Sequence, residues 1–217
     1  MIVYKYLKKK YLLKFKEEGL IRVNTLYDLR SEYETIRDDL EGRAKLTVAA
    51  KEPMVYSGGE FQQVFPQIKS DRPNIEIRLD SGASIVSNTQ VPNAFVFCAS
   101  LKLDDDLFEK FKYDAYYRIT KPDRFAEILW KEIDKVRTIR CFRAGKVRYS
   151  DKEIVVSDKR KSLSQAQLFN DFWNICFTKP LKFRNEEEYR IVFVPEFLKE
   201  IAKLDLRCPE LRRCCTF

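Results

Sequence analysis

The chain has 217 residues, 45% of them hydrophobic and 13% aromatic, enough apolar surface for a real core and too much for a solvated disordered chain. Its 41 basic residues oppose 33 acidic ones for a net charge of +8, and histidine is absent, which removes Ser-His-Asp and Cys-His hydrolysis, His-ligated zinc and nucleases with a histidine base. No run reaches the roughly 18 apolar residues of a bilayer span and the Lys-rich opening lacks an uninterrupted apolar h-region, so a cytoplasmic protein without a membrane partner is expected.

Tyr4, Leu7, Tyr11, Leu12 and Phe15 recur at helical spacing and Gly19 suits a helix C-terminus, which predicts a first helix over 4–18. Residues 20–24 then read as a strand, with Ile21 and Val23 on one face and the polar pair Arg22 and Asn24 on the other. Thr25, with Asp28 three positions on, caps a short helix through Leu26, Tyr27 and Leu29, in a region that Gly42 closes. Strands are predicted at 44–50 and 75–86, the second turning at Asp80, Ser81 and Gly82, with a loop over 51–74. Residues 93–101 form a buried strand that delivers Ser100 at its C-terminal end. Asp104, Asp105 and Asp106 suit a helix start better than a cation, so no metal is assigned. Pro122 opens an amphipathic helix through Phe125, Ile128, Leu129 and Ile133 to about Arg137. A basic hairpin around Ala144, Gly145 and Lys146, a helix holding Leu168, Phe169, Phe172, Trp173 and Cys176, a strand at 188–195 and a basic helical tail complete a single α+β domain over residues 1–217. The six cysteines are irregularly spaced, several in apolar strings, and are expected to be free thiols.

Two segments hold most of the excess charge. Residues 1–16 contain Lys5, Lys8, Lys9, Lys10, Lys14 and Lys16 with no acid, and residues 137–161 carry nine basic residues against three acidic ones. Arg140, Arg143, Lys146 and Arg148 in the second are candidate nucleic-acid contacts, with Phe142 and Tyr149 among them as rings that stack on bases or pack in a core. Solubility and an acidic protein partner are the plainer readings of the same charge.

The sharpest local signal lies in residues 179–193. Strand alternation puts Glu186, Glu188 and Arg190 on one face and Tyr189, Ile191 and Phe193 on the other. A carboxylate there can stabilise the cationic ribose formed when the nicotinamide bond of NAD breaks, and a second can orient or deprotonate the nucleophile; a solvent-facing strand edge with an ion pair explains the same residues without chemistry. The Glu186-x-Glu188 pair entering a strand resembles the motif of arginine-serine-glutamate ADP-ribosyltransferases. That resemblance implies a split mixed β-sheet flanked by helices, NAD as cofactor, Glu188 and Glu186 as catalytic residues, and Arg22 and Ser100 at the cofactor. Asn24 beside Arg22, Tyr27 as a stacking ring, and Arg30 as the alternative to Arg22 for the NAD-contacting arginine, with Glu32 as a further secondary candidate, complete the set. The usual Ser-Thr-Ser is Cys98-Ala99-Ser100 here. The chain is also similar to an uncharacterised bacterial family of phage-defence and toxin loci, through its opening Tyr4-Lys5-Tyr6-Leu7, the block from Gly19 to Glu32 with Asp39-Leu40-Glu41-Gly42, and the Glu-x-Glu-x-Arg ending.

The resulting expectation is an ADP-ribosyltransferase toxin that modifies nucleic acid, RNA before DNA, with an antitoxin or chaperone as a further partner. A basic RNA-binding toxin, a metal-dependent nuclease and a non-catalytic adaptor are the alternatives. Against the nuclease, no acid is followed two positions later by lysine, and no glycine-rich phosphate loop is present.

Overall fold

The structure, a computed structural model, describes residues 1–31, 38–39, 41–57, 76–150, 153–156, 172–197 and 201–217. In chain order its elements are β1 (Val3–Leu7), α1 (Lys9–Glu18), β2 (Leu20–Thr25), α2 (Asp28–Ser31), β3 (Arg43–Ala49), β4 (Met54–Ser57), β5 (Glu76–Leu79), β6 (Ser84–Gln90) and β7 (Phe95–Ser100). There follow α3 (Asp105–Phe111), β8 (Ala115–Ile119), α4 (Pro122–Asp134), β9 (Ile139–Lys146), β10 (Arg148–Tyr149), β11 (Glu153–Val156), helical residues 172–176 and β12 (Thr178–Lys179). A 3-10 helix (Leu181–Glu186), β13 (Glu188–Pro195), β14 (Leu204–Arg207), a second 3-10 helix (Pro209–Cys214) and β15 (Cys215–Thr216) complete the α+β chain. No described helix is long and apolar enough to cross a membrane. The elements group into two compact units: Met1–Gly42, Pro92–Asp151 and Cys176–Phe217 form one, Arg43–Val91 and Lys152–Ile175 the other.

The first unit is built on an eight-stranded sheet in the order β14-β2-β7-β1-β8-β15, with β13 bridging β7 and β9. Every strand pair in it is antiparallel. β13 covers the whole length of β7, Glu188 opposite Ser100 through Phe193 opposite Phe95. A strand has only two edges, so β1 and β2 must share the other one. β2 takes the beginning, with Asn24 opposite Val96, and β1 takes the end, with Tyr4 opposite Ser100. The sheet is therefore split, and the gap opens beside Phe97, Cys98 and Ala99.

Alternation sorts the side chains. Ile21 and Val23 of β2, Phe95, Phe97 and Ala99 of β7, and Tyr189, Ile191 and Phe193 of β13 enter one hydrophobic core with Phe15 of α1 and Phe125, Ile128, Leu129 and Ile133 of α4. Each large apolar side chain so buried contributes about 1.5–3 kcal/mol. The opposite face of β7 and β13 carries Cys98, Ser100, Glu188 and Arg190, and it is this face that turns toward the gap.

The beginning of the chain corrects the predicted helix over 4–18. Val3–Leu7 is a strand paired with β8 over its full length, because the Val-Tyr-Lys-Tyr run suits a pleated, half-buried surface. Only Lys9–Glu18 is helical, and Gly19 ends it in the left-handed conformation, φ 70°. The tail is likewise not a helix: β14 pairs with β2 and β15 with β8, because Leu206, Cys208, Leu211 and Cys214 fill the core. No hairpin forms around Gly145, since β9 pairs with β13 while β10 pairs in parallel with β12.

In the second unit β3 lies between β6, antiparallel, and β11, parallel. Met54–Ser57 pairs with Glu76–Leu79, which corrects the loop predicted over 51–74 at its start. Met54, Tyr56 and Leu79 pack with Ala50 in a small core of their own. The rest of that loop from 58 on, Leu168 and Phe169 of the predicted helix, residues 157–161 of the basic segment and Glu32 lie outside the described residues.

Candidate active site

Glu188 opens β13, and alternation places Arg190 beside it. Arg190 is fully buried. A guanidinium has five N–H donors, and here each has an acceptor. Nε donates to Glu188 Oε1; one terminal nitrogen donates to Glu41 Oε1 at 2.8 Å and to the Cys176 carbonyl at 2.6 Å; the other donates to Glu41 Oε2 at 2.7 Å and Glu188 Oε2 at 3.4 Å. Burying charges costs several kcal/mol per ion unless such partners are present, and full satisfaction is what permits this one.

Lys179 of β12 extends the network. Its Nζ lies 2.9 Å from Glu188 Oε2 and 2.6 Å from Glu186 Oε2. Lys110 of α3 closes it, 2.7 Å from Glu186 Oε1. Three carboxylates (Glu41, Glu186, Glu188) thus interleave with three cations (Lys110, Lys179, Arg190), leaving the cluster without net charge. Burial opposes the charge on Glu188, yet Arg190 and Lys179, helped by the Cys98 thiol, hold its carboxyl well below the usual carboxylate range. Burial and the neighbouring Glu188 push the Cys98 thiol up, so it stays protonated and donates. Lys179 loses some of its preference for charge to burial but is driven far above the ordinary lysine range by Glu188 and Glu186.

The expected alternation of Glu186 with Glu188 along one strand does not hold. Glu186 ends the 3-10 helix, and Glu187 between them sits in the left-handed region at φ 42°. That reversal aims both carboxylates at Lys179. Ser100, buried at the end of β7, fixes the turn: its hydroxyl donates to the Glu186 carbonyl at 2.8 Å and accepts from the Lys102 amide at 3.2 Å.

A cavity of about 110 Å³ opens in the split of the sheet, several times the roughly 10–15 Å³ that one water needs. Arg22, Asn24, Ser100, Glu186 and Glu188 all line it, with Tyr6, Phe97, Phe111 and Tyr113 as aromatic walls. Lys5 bridges the gap, its ammonium 2.7 Å from the Cys98 carbonyl and 4.7 Å from the centre of the Phe97 ring. Arg22 makes a two-pronged ion pair with Asp205 on β14, both contacts at 2.7 Å and both side chains 48% exposed.

No family model, curated protein or solved structure matches the chain.

The remaining sequence candidates lie elsewhere. Arg30 stacks on the Tyr27 ring, 4.0 Å from its centre, and donates Nε to the Glu41 carbonyl at 2.6 Å; neither residue lines the cavity. Of the two candidate arginines, Arg22 is the one at the cavity. Arg140, Arg143, Lys146 and Arg148 are exposed on β9 and β10, away from the cavity lining. Asp104 accepts from the Asp106 amide at 3.0 Å as the cap of α3. Sequence spacing does not single out Lys110, Lys179 or Glu41 as site residues. Lys179 stands nine positions ahead of Glu188, and Glu41 just before Gly42, but no local pattern announces that they meet.

Proposed function

We propose that the protein is an NAD-dependent ADP-ribosyltransferase with a split-sheet fold like that of the arginine-serine-glutamate superfamily, here antiparallel throughout rather than mixed, and that RNA is its acceptor. The observation that carries this reading is the arrival of Arg22, Ser100 and Glu188, from β2, β7 and β13 in that chain order, at one cavity in the split of the sheet. NAD would supply the ADP-ribosyl group and, in nicotinamide, the leaving group. The residues fit such a ligand in kind. The aromatic walls suit a flat ring, and Arg22, in a half-exposed ion pair worth about 0–1 kcal/mol, can exchange Asp205 for a phosphate in bidentate fashion.

Glu188 stays ionised, faces the cavity and is held without freedom to turn, so it favours positive charge developing beside it. Its low basicity makes it a poor proton acceptor near neutral pH. Orientation of the incoming nucleophile therefore falls to Glu186, whose two oxygens are shared between Lys110 and Lys179. Ser100 acts through the Glu186 carbonyl rather than on the ligand. The exposed Arg140, Arg143, Lys146 and Arg148 and the net charge of +8 favour a polyanionic acceptor. An enzyme modifying RNA in this way is toxic to its host, in keeping with a defence or toxin role restrained by an antitoxin or chaperone.

Incubation of the purified protein with NAD labelled in its adenylate, and with separate pools of cellular RNA, DNA and protein, tests the reading. Label is expected in RNA, and Glu188→Gln is expected to lower its rate by about 10²–10³-fold, as for loss of a preorganised electrostatic group. No label in any pool from the wild-type protein overturns the proposal.

A further inference from the structure

Glu188 is held at two points, and only one of them is its carboxylate. In an antiparallel ladder a residue that turns its C=O toward a neighbouring strand turns its N–H the same way, and one partner residue serves both. Glu188 begins such an exchange: its carbonyl accepts from the Val147 amide at 2.9 Å. β9 has ended at Lys146, however, and the acceptor for the Glu188 N–H is the phenol oxygen of Tyr149, at 2.7 Å. A side chain stands in for a strand.

Tyr149 reaches that position because β10 and β12 form a two-residue parallel ribbon in which Arg148 faces Thr178 and Tyr149 faces Lys179. The Arg148 amide donates to the Phe177 carbonyl at 2.8 Å and the Ser150 amide to the Lys179 carbonyl at 3.1 Å. The paired residues thus address the two ends of one glutamate, Tyr149 its backbone and Lys179 its carboxylate. Burial raises the Tyr149 hydroxyl to about 12, so it remains a neutral phenol that accepts the amide hydrogen. Tyr149 is absent from the cavity lining.

We propose that Tyr149 is a further positioning residue, which fixes the backbone of Glu188 and so the direction of its carboxylate, without touching the ligand. The role in catalysis rests on the transferase reading above; the hold on the amide does not. Tyr149→Phe keeps the ring and removes only the acceptor. Amide hydrogen exchange, read residue by residue, is expected to speed up at Glu188 by roughly fivefold, the worth of one hydrogen bond, with the amides of β7 and the rest of β13 unchanged. The kcat of ADP-ribosyl transfer is expected to fall about tenfold through misplacement of the carboxylate, with KM for NAD within about twofold, because the cavity lining is intact. Unchanged exchange at Glu188, or faster exchange spread evenly over β9, β12 and β13, overturns the proposal. Selective exchange at Glu188 in a protein whose wild type transfers nothing leaves the hold standing and removes the transferase reading instead.

Discussion

Arg190 shows what a single buried side chain demands of its surroundings. Lysine at this position would keep the charge but offers three donors around a point instead of five in a planar fork, so at most three of the five contacts to Glu41, Glu188 and the Cys176 carbonyl could be kept. Arg190→Lys is expected to destabilise the fold by about 1–3 kcal/mol, the cost of leaving buried acceptors without a donor, read as a shift in urea midpoint at constant m-value. The same network sets the acid limit. Glu188 titrates lower in the folded chain than its ordinary value of 4.5, so its contribution is complete above that value and is lost as pH falls through the range below it. Wild-type urea midpoints are expected to drop on that acid side, and Glu188→Gln to show a shallower drop; parallel curves would mean that Glu188 contributes nothing to acid stability. At this scale the sequence shows residue types and spacing, and spacing identified Glu188 and Arg190. It could not identify Glu41 as the partner of Arg190, 149 positions away, because pairing over that distance is decided by the whole fold.

Elements were legible where their own periodicity matched what tertiary structure later required. β13 has the predicted bounds, and α4 begins at Pro122 and buries Phe125, Ile128, Leu129 and Ile133. β1 shows the opposite case. Tyr4 and Leu7 fall three apart and so fit a helix that continues into Tyr11, while the same residues also fit an aromatic-rich strand. Pairing with β8 decided between them. Gly19 ends α1, as its place after the helical pattern predicts, and the structure adds a second reason for it. A Cβ there would lie 2.5 Å from the Pro209 Cα and nitrogen, where the Cys208 amide donates to the Gly19 carbonyl at 2.9 Å. Gly19→Ala combines a left-handed backbone penalty of about 1–2 kcal/mol with overpacking of about 1–3 kcal/mol against atoms that cannot swing aside. Thermal denaturation is expected to show a loss of at least about 2 kcal/mol on those terms, and a melting temperature equal to wild type would contradict the packing of α1 against the second 3-10 helix.

On the scale of the molecule, the absence of histidine and the net charge of +8 narrowed the chemistry before any fold was known. They could not show that the gap between β1 and β2 is where the chemistry would sit. Nor could they show that the basic residues of β9 and β10 lie outside the cavity, since charge counted along a chain carries no direction. The site depends on strands distant in sequence, and this gives it a history in time. Glu41 and the β7 segment leave the ribosome first, while Lys179, Glu186, Glu188 and Arg190 follow together near the other end. At typical synthesis rates, the 149 positions between Glu41 and Arg190 take about 7–30 s to make. Until then β7 has no β13 and Glu41 has no Arg190, so the buried charge cluster cannot close. The cluster, and whatever chemistry it carries, is therefore assembled only after both stretches have been made.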